Sequence, residues 1–107
     1  MPRIHIPTAR KAGALSYRYD DWPEGTVYIG RRFTMGGYDL PDTLWGNPYK
    51  VRQHGRGRSV ALYRRNLSPE VRGRIEELRG KTLACWCKQD ELCHGDVLLD
   101  LLGEGEQ

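Results

Sequence analysis

Residues 80–98 read GKTLACWCKQDELCHGDVL. Thr82 to Trp86 is a largely apolar run of strand length, with no charged side chain to turn toward water, so it predicts a central strand. A polar loop, Lys88 to Glu91, follows. A helix is then expected from His94 or Gly95 to Leu102, with Val97, Leu98, Leu101 and Leu102 on its buried face and Gly103 ending it. Upstream, Ser68-Pro69-Glu70 opens a helix. Ser is the N-cap, Pro the first helical residue, and Glu faces the positive end of the dipole. Val71, Ile75 and Leu78 carry its apolar stripe, and Arg79-Gly80 closes it. A further helix is predicted over 59–67, capped by Ser59, with Val60, Tyr63 and Leu67 on one face. Thr26 to Ile29 is a β-branched and aromatic strand after the turn signal Pro23-Glu24-Gly25. The order is strand, loop, helices, strand, helix. Strands joined by a helical crossover are parallel. The expectation is a small single α/β domain, a mostly parallel sheet with helices packed on it, in a partial Rossmann-like topology.

The chain has 107 residues, the size of one domain, 1–107. Its core is expected over about 26–102. Residues 1–25 read as irregular, although Arg3 to Ile6 can form a short strand between Pro2 and Pro7. The tail 103–107 is expected to fray. Arg31 to Gly57 holds five glycines and two prolines, too many for regular elements. A loop of that length is functional or hides short strands. No apolar run is long enough to cross a bilayer, so no membrane association is expected. MPRIHIPTARKAG has no apolar h-region, which points away from secretion and toward the cytoplasm, where thiols stay reduced. Three cysteines crowded into nine positions make a poor disulfide framework.

Net charge is +3. From Lys50 to Lys81, ten Lys or Arg residues face three Glu. Such a segment meets phosphates or is simply a solvated helical face.

In parallel sheets ligands lie beyond the carboxyl ends of the strands. Two segments reach that edge: Gly30-Arg31-Arg32 and Cys85-Trp86-Cys87. Three readings of the cysteine segment stand side by side. Cys85, Cys87, Cys93 and His94 supply ligands suited to zinc, and alternation puts Cys85 and Cys87 on one side of a strand. The same four residues can act as catalytic thiols and a base, with Cys93 and His94 at a helix N-terminus that lowers a thiol pKa. Or the cysteines are plain core. For ligand binding, Arg31 and Arg32 suit a phosphate, Asn47 orients a base or sugar, and Trp45 stacks on one; on an equal footing, Trp45-Gly46-Asn47-Pro48 is a plain turn with Trp45 plugging the core. Asp96 complements the last helix's dipole or serves the site. Gly55-Arg56-Gly57-Arg58 is a weak phosphate signal.

Taken together, VYIGR (27–31), WGNPY (45–49), VALYRRNL (60–67), ELRGKTLACWC (77–87) and CHGDVL (93–98) resemble the DUF4326 family of bacteria and their phages, from about Arg10 to Leu102. The CHGDVL end is also locally similar to the DUF488 family. Against the DUF4326 pattern, Phe33 to Thr43 reads as an insertion and the gap from Cys87 to Cys93 as slightly long, both altering a loop at the site. The resemblance implies no reaction. The expected function is binding of a phosphate-bearing nucleotide or nucleic acid, with chemistry on it where the thiols and His94 act as catalytic groups. The alternative is a zinc- or Cys-stabilised module that meets nucleic acid or a host protein through its basic helices, in the host cytoplasm if a phage encodes it.

Overall fold

The computed structural model describes residues 3–104. Three short strands, β1 (Arg3–His5), β2 (Thr26–Tyr28) and β3 (Thr82–Cys85), form one parallel sheet in the order β1-β3-β2. His5 pairs with Cys85 and Tyr28 with Ala84, so all three carboxyl ends reach the same edge. β3 is central, as its apolar run predicts. The β2 pairing continues for one more bond, from Ile29 N to Ala84 O at 3.1 Å. This is an α/β domain. Its strand order differs from half a Rossmann fold, where consecutive strands lie side by side; here the last strand inserts between the first two.

The alternation of β3 divides the core. Leu83 and Cys85 face one layer with Ile29, Tyr63, Val71, Leu78, Val97 and Leu98. That layer is α3 (Arg56–Arg65), α4 (Pro69–Arg74) and α5 (His94–Glu104). Ala84 faces the other layer with Ile6, Leu15, Trp22, Tyr28 and Leu40. The N-terminal segment expected to be irregular therefore supplies β1, a helix α1 (Ile6–Lys11) and half of the second layer. Pro7 does not end the strand in a loop. It sits in the first turn of α1, where its missing N–H is not needed.

Ser68 caps α4 as expected, accepting from Val71 N at 3.1 Å. Its last turn tightens into a 3-10 turn over Ile75–Leu78. Ser59 is not a cap: α3 starts earlier, at Arg56, and Ser59 is fully buried inside it. The long loop holds one helical turn, α2 (Val51–His54). α5 runs one residue past Gly103, and the tail beyond Glu104 lies outside the described residues. Phe33 and Leu40 pair in an antiparallel bridge, and Phe33 and Tyr38 stack on Trp86. The 33–43 segment thus caps the second layer, and its last residue, Thr43, donates to the Gly30 carbonyl at 2.7 Å. Among the described residues no helix is long and apolar enough to cross a membrane.

Candidate functional site

Alternation on β3 and the chain just after it send Cys85 and Cys87 to the α5 side of the sheet, where Cys93 arrives at the start of that helix. The three sulfurs lie within 4.8 Å of one another, and Cys85 and Cys93 approach to 3.3 Å. Cys85 and Cys93 are buried, Cys87 half-buried, and none is in a disulfide. The three are close enough to hold a metal ion.

Each sulfur also receives an N–H donor. Arg3 Nη1 lies 3.8 Å from Cys85 Sγ, Arg56 Nη1 lies 3.4 Å from Cys87 Sγ, and Gly95 N lies 3.4 Å from Cys93 Sγ. Hydrogen bonds from Cys87 and Cys93, with Arg3 behind them, hold the Cys85 thiol far below its ordinary value. Cys93 is pushed the other way, first by its bond to Cys85.

His94 is oriented by the backbone. Its Nε2 lies 2.6 Å from the Ile29 carbonyl, which only accepts, so Nε2 carries the proton. Nδ1 is left with its lone pair, 3.7 Å from Cys93 Sγ. Burial pushes the imidazole below its usual pKa and keeps it neutral. Gly95 allows this approach. A Cβ there would stand 2.9 Å from Ile29 Cδ1 and 3.0 Å from Arg3 Cδ.

Over the cluster opens a cleft of about 200 Å³ at the strand carboxyl ends. Its rim carries Arg31, Lys50 and Arg56. Arg56 is engaged with Glu91 at 3.4 Å and with the Leu92 carbonyl at 3.0 Å. Arg31 and Lys50 are exposed, and among the described residues no carboxylate lies within ion-pair distance of either. The N-terminal turns of α3 and α5 both border the cleft and add positive potential. A shallower basic depression, lined by Arg31, Lys50 and Arg52, continues from it.

Of the residues expected at the site, Gly30, Arg31, Asn47, Cys85, Cys87, Cys93 and His94 all border this cleft. Three do not. Arg32 is exposed but lies outside the cleft. Trp45 is buried in the core, its carbonyl accepting from Tyr63 Oη at 2.8 Å, and so cannot stack on a ligand. Asp96 accepts from Cys93 N at 3.1 Å and pairs with Arg3 Nε at 3.1 Å, outside the cleft. Asn47 is present but occupied. Its amide donates to Ser59 Oγ at 2.9 Å, its carbonyl accepts from Tyr49 N at 2.9 Å, and Ser59 in turn donates to the Tyr49 carbonyl. It pins the WGNPY loop to α3 rather than reading a base. Gly46 in that loop lets Arg31 lie flat, since a Cβ would stand 2.9 Å from Arg31 Cγ.

The residue with no sequence signal is Arg3. It is buried and donates to the carbonyls of Cys87, Lys88, Gln89 and Glu91 at 3.0 to 3.4 Å. One side chain from the first strand thus shapes the loop between the second and third cysteines. Lys50 was legible only as a member of a basic run, and Arg56 through that run and the weak Gly55-Arg56-Gly57-Arg58 signal.

A family model described as "Domain of unknown function (DUF4326)" matches residues 15–104. The chain is also 38% identical over 84 residues to "Uncharacterized protein R718" of Acanthamoeba polyphaga mimivirus. That match covers 70% of this chain and 65% of the viral protein, so the chain spans less than two thirds of its relative's length. No solved structure matches.

Proposed function

The chain belongs to the DUF4326 family, and we propose that it binds the phosphate of a nucleotide or of a nucleic-acid end in the cleft above its cysteines. One observation carries this reading. Arg31 and Lys50, free of carboxylate partners among the described residues, stand on the rim of a cleft bordered by two helix N-termini. Fixed N–H dipoles and unpaired cations together favour a multiply charged anion. The shallow extension past Arg52 gives room for more than one phosphate. Of the four residues read as catalytic, Cys85, Cys93 and His94 are buried and Cys87 half-buried, and the phosphate reading assigns contact with the ligand to none of them. The protein acts in the cytoplasm, that of the host where a phage or other virus encodes it.

Titration calorimetry with inorganic pyrophosphate, ATP and a 5′-phosphorylated oligonucleotide tests the reading. Binding of at least one, weakened by salt and by Arg31→Ala with Lys50→Ala, is the expected result. No heat from any of the three at millimolar concentration would overturn it.

A second reading is favoured by the mutual approach of the three sulfurs. Here the cluster holds zinc as a staple, and the basic helices α3 and α4 meet nucleic acid or a host protein. Arg64→Glu and Arg72→Glu would then weaken binding more than Arg31→Ala does.

A further inference from the structure

We infer that Cys85, Cys87, Cys93 and Nδ1 of His94 form one closed, four-ligand zinc site, with Arg3, Arg56 and the Ile29 carbonyl as its outer support. This deepens the zinc reading of the cluster and stands apart from the phosphate reading of the cleft.

The donor set comes first. Three sulfurs and one neutral imidazole nitrogen are a Cys3His set, which suits tetrahedral zinc. Zn–S bonds of about 2.3 Å and a Zn–N bond of about 2.0 Å put neighbouring sulfurs about 3.8 Å apart and a sulfur and nitrogen about 3.5 Å apart. The sulfur separations bracket the first figure, at 3.3 Å for Cys85 to Cys93 and no more than 4.8 Å for any pair. The fourth donor, His94 Nδ1, reaches this three-sulfur group through Cys93, 3.7 Å from its Sγ. Adjacent residues ordinarily aim apart. Here the chain turns into α5 between Cys93 and His94, and the bond to Ile29 fixes the ring.

The surroundings argue the same way. A neutral thiol is a weak acceptor, yet each of the three sulfurs has its own N–H donor, two of them guanidinium groups. Donors so arranged match thiolates. Three thiolates so close repel each other, and two arginines that already face Asp96 and Glu91 do not offset them. A divalent cation among the sulfurs does. The His94 arrangement is the usual one for a ligating imidazole, whose second nitrogen donates to a backbone carbonyl and sets the tautomer.

The test uses the full chain, purified without chelator or metal-affinity tag. Elemental analysis is expected to give one zinc per chain. X-ray absorption at the zinc edge is expected to give three sulfur neighbours and one nitrogen, with the outer-shell scattering of an imidazole. Cobalt in place of zinc is expected to give the intense visible bands of a tetrahedral thiolate site. His94→Gln keeps an Nε2–H for Ile29 but has no Nδ1, so zinc affinity should fall by at least about tenfold and the cobalt bands weaken. Cys87→Ser should change the cobalt charge-transfer bands.

A metal-free chain that takes up no zinc and whose three thiols all titrate when folded would overturn the proposal. So would a Cys85–Cys93 disulfide in the reduced-buffer preparation. Three sulfurs with water as the fourth neighbour, and affinity unchanged in His94→Gln, would overturn the closed set. Pyrophosphate binding on the same samples scores the cleft separately. Arg31→Ala should alter it while leaving the zinc count at one.

Discussion

Arg3 Nε lies 3.1 Å from Asp96 Oδ1, joining the first strand to the first turn of the last helix across 93 positions of sequence. The pair is lopsided. The Arg3 side chain is 7% exposed and the Asp96 side chain 41%. Arg3 spends its remaining donors on the buried Cys85 sulfur and on partly buried carbonyls of the 87–91 loop, so its removal leaves five acceptors without their donor. A lysine supplies one ammonium and no planar fork. Arg3→Lys is expected to lower stability by about 2–4 kcal/mol. Asp96→Asn keeps a cap for Cys93 N, and water screens much of the lost charge, so it should cost no more than about 1 kcal/mol. Urea unfolding of both variants measures the difference. Equal losses would mean that Arg3 acts through the ion pair and not through the loop.

Gly73 and Gly95 both lie in helices and should respond to alanine with opposite sign. A Cβ at Gly73 meets nothing within 4 Å, so Gly73→Ala should stabilise by about 0.5–1 kcal/mol through helix propensity. A Cβ at Gly95 would press on Ile29 and Arg3, so Gly95→Ala should destabilise by about 1–3 kcal/mol. Thermal unfolding of the two variants settles the sign. A stabilised Gly95→Ala would mean that α5 can shift away from the sheet without strain.

The contrast between these positions shows what was legible in the chain. β3, α4 and α5 were readable because their patterns are local: an apolar run, a Ser-Pro-Glu start, an i, i+4, i+7 stripe. So was the meeting of Gly30-Arg31 with Cys85-Trp86-Cys87, since parallel strands bring their carboxyl ends together. β1 was legible only as an option, because the four residues between Pro2 and Pro7 are too few to carry a period, and pairing with β3 is what makes Arg3–His5 a strand. The role of Arg3 was hidden. Its partners lie at 85–91 and 96, and nothing near it in sequence marks it as buried. WGNP reads equally as a ligand-facing loop and as a plain turn with Trp45 in the core, and the second is what the structure shows for Trp45. The hydrogen bonds of Trp45 and Asn47 go to Tyr63, Ser59 and Tyr49, which no spacing reveals.

Tyr63 gives a pH dependence with a definite sign. Burial, and after it the neighbouring Cys93, raises its phenol above the ordinary value. The folded state therefore favours the neutral phenol, whose Oη donates to the Trp45 carbonyl at 2.8 Å. The unfolded chain loses that proton near pH 10. Unfolding thus releases a proton above that pH, and stability should be full below about pH 10 and fall as pH rises past it. Tyr63→Phe lacks this term, at a cost of about 1 kcal/mol at neutral pH for the lost bond. Urea midpoints at pH 8 and 10.5 should fall less in Tyr63→Phe than in the parent. Parallel falls would place the alkaline sensitivity in other groups.

Arg31 and Arg32 are neighbours in sequence with different expected roles. Both are exposed, so neither substitution should move stability by more than about 0.5 kcal/mol. Arg31 lies along Gly46, with its head on the rim of the cleft near Lys50; Arg32 lies outside it. A phosphate in the cleft meets one of them and not the other. Arg31→Ala is expected to weaken pyrophosphate binding by about tenfold, and Arg31→Ala with Lys50→Ala by more, with a shallower salt dependence because fewer cations engage the anion. Arg32→Ala should leave binding within about twofold of the parent. Gly46→Ala adds a sharper test, since it displaces the Arg31 stem without removing any charge. It should weaken binding while the net charge stays the same, and only positioned recognition predicts that. If Arg31→Ala and Arg32→Ala weaken binding equally and Gly46→Ala does nothing, the anion is held by the general basic field of the surface and the cleft has no part in it.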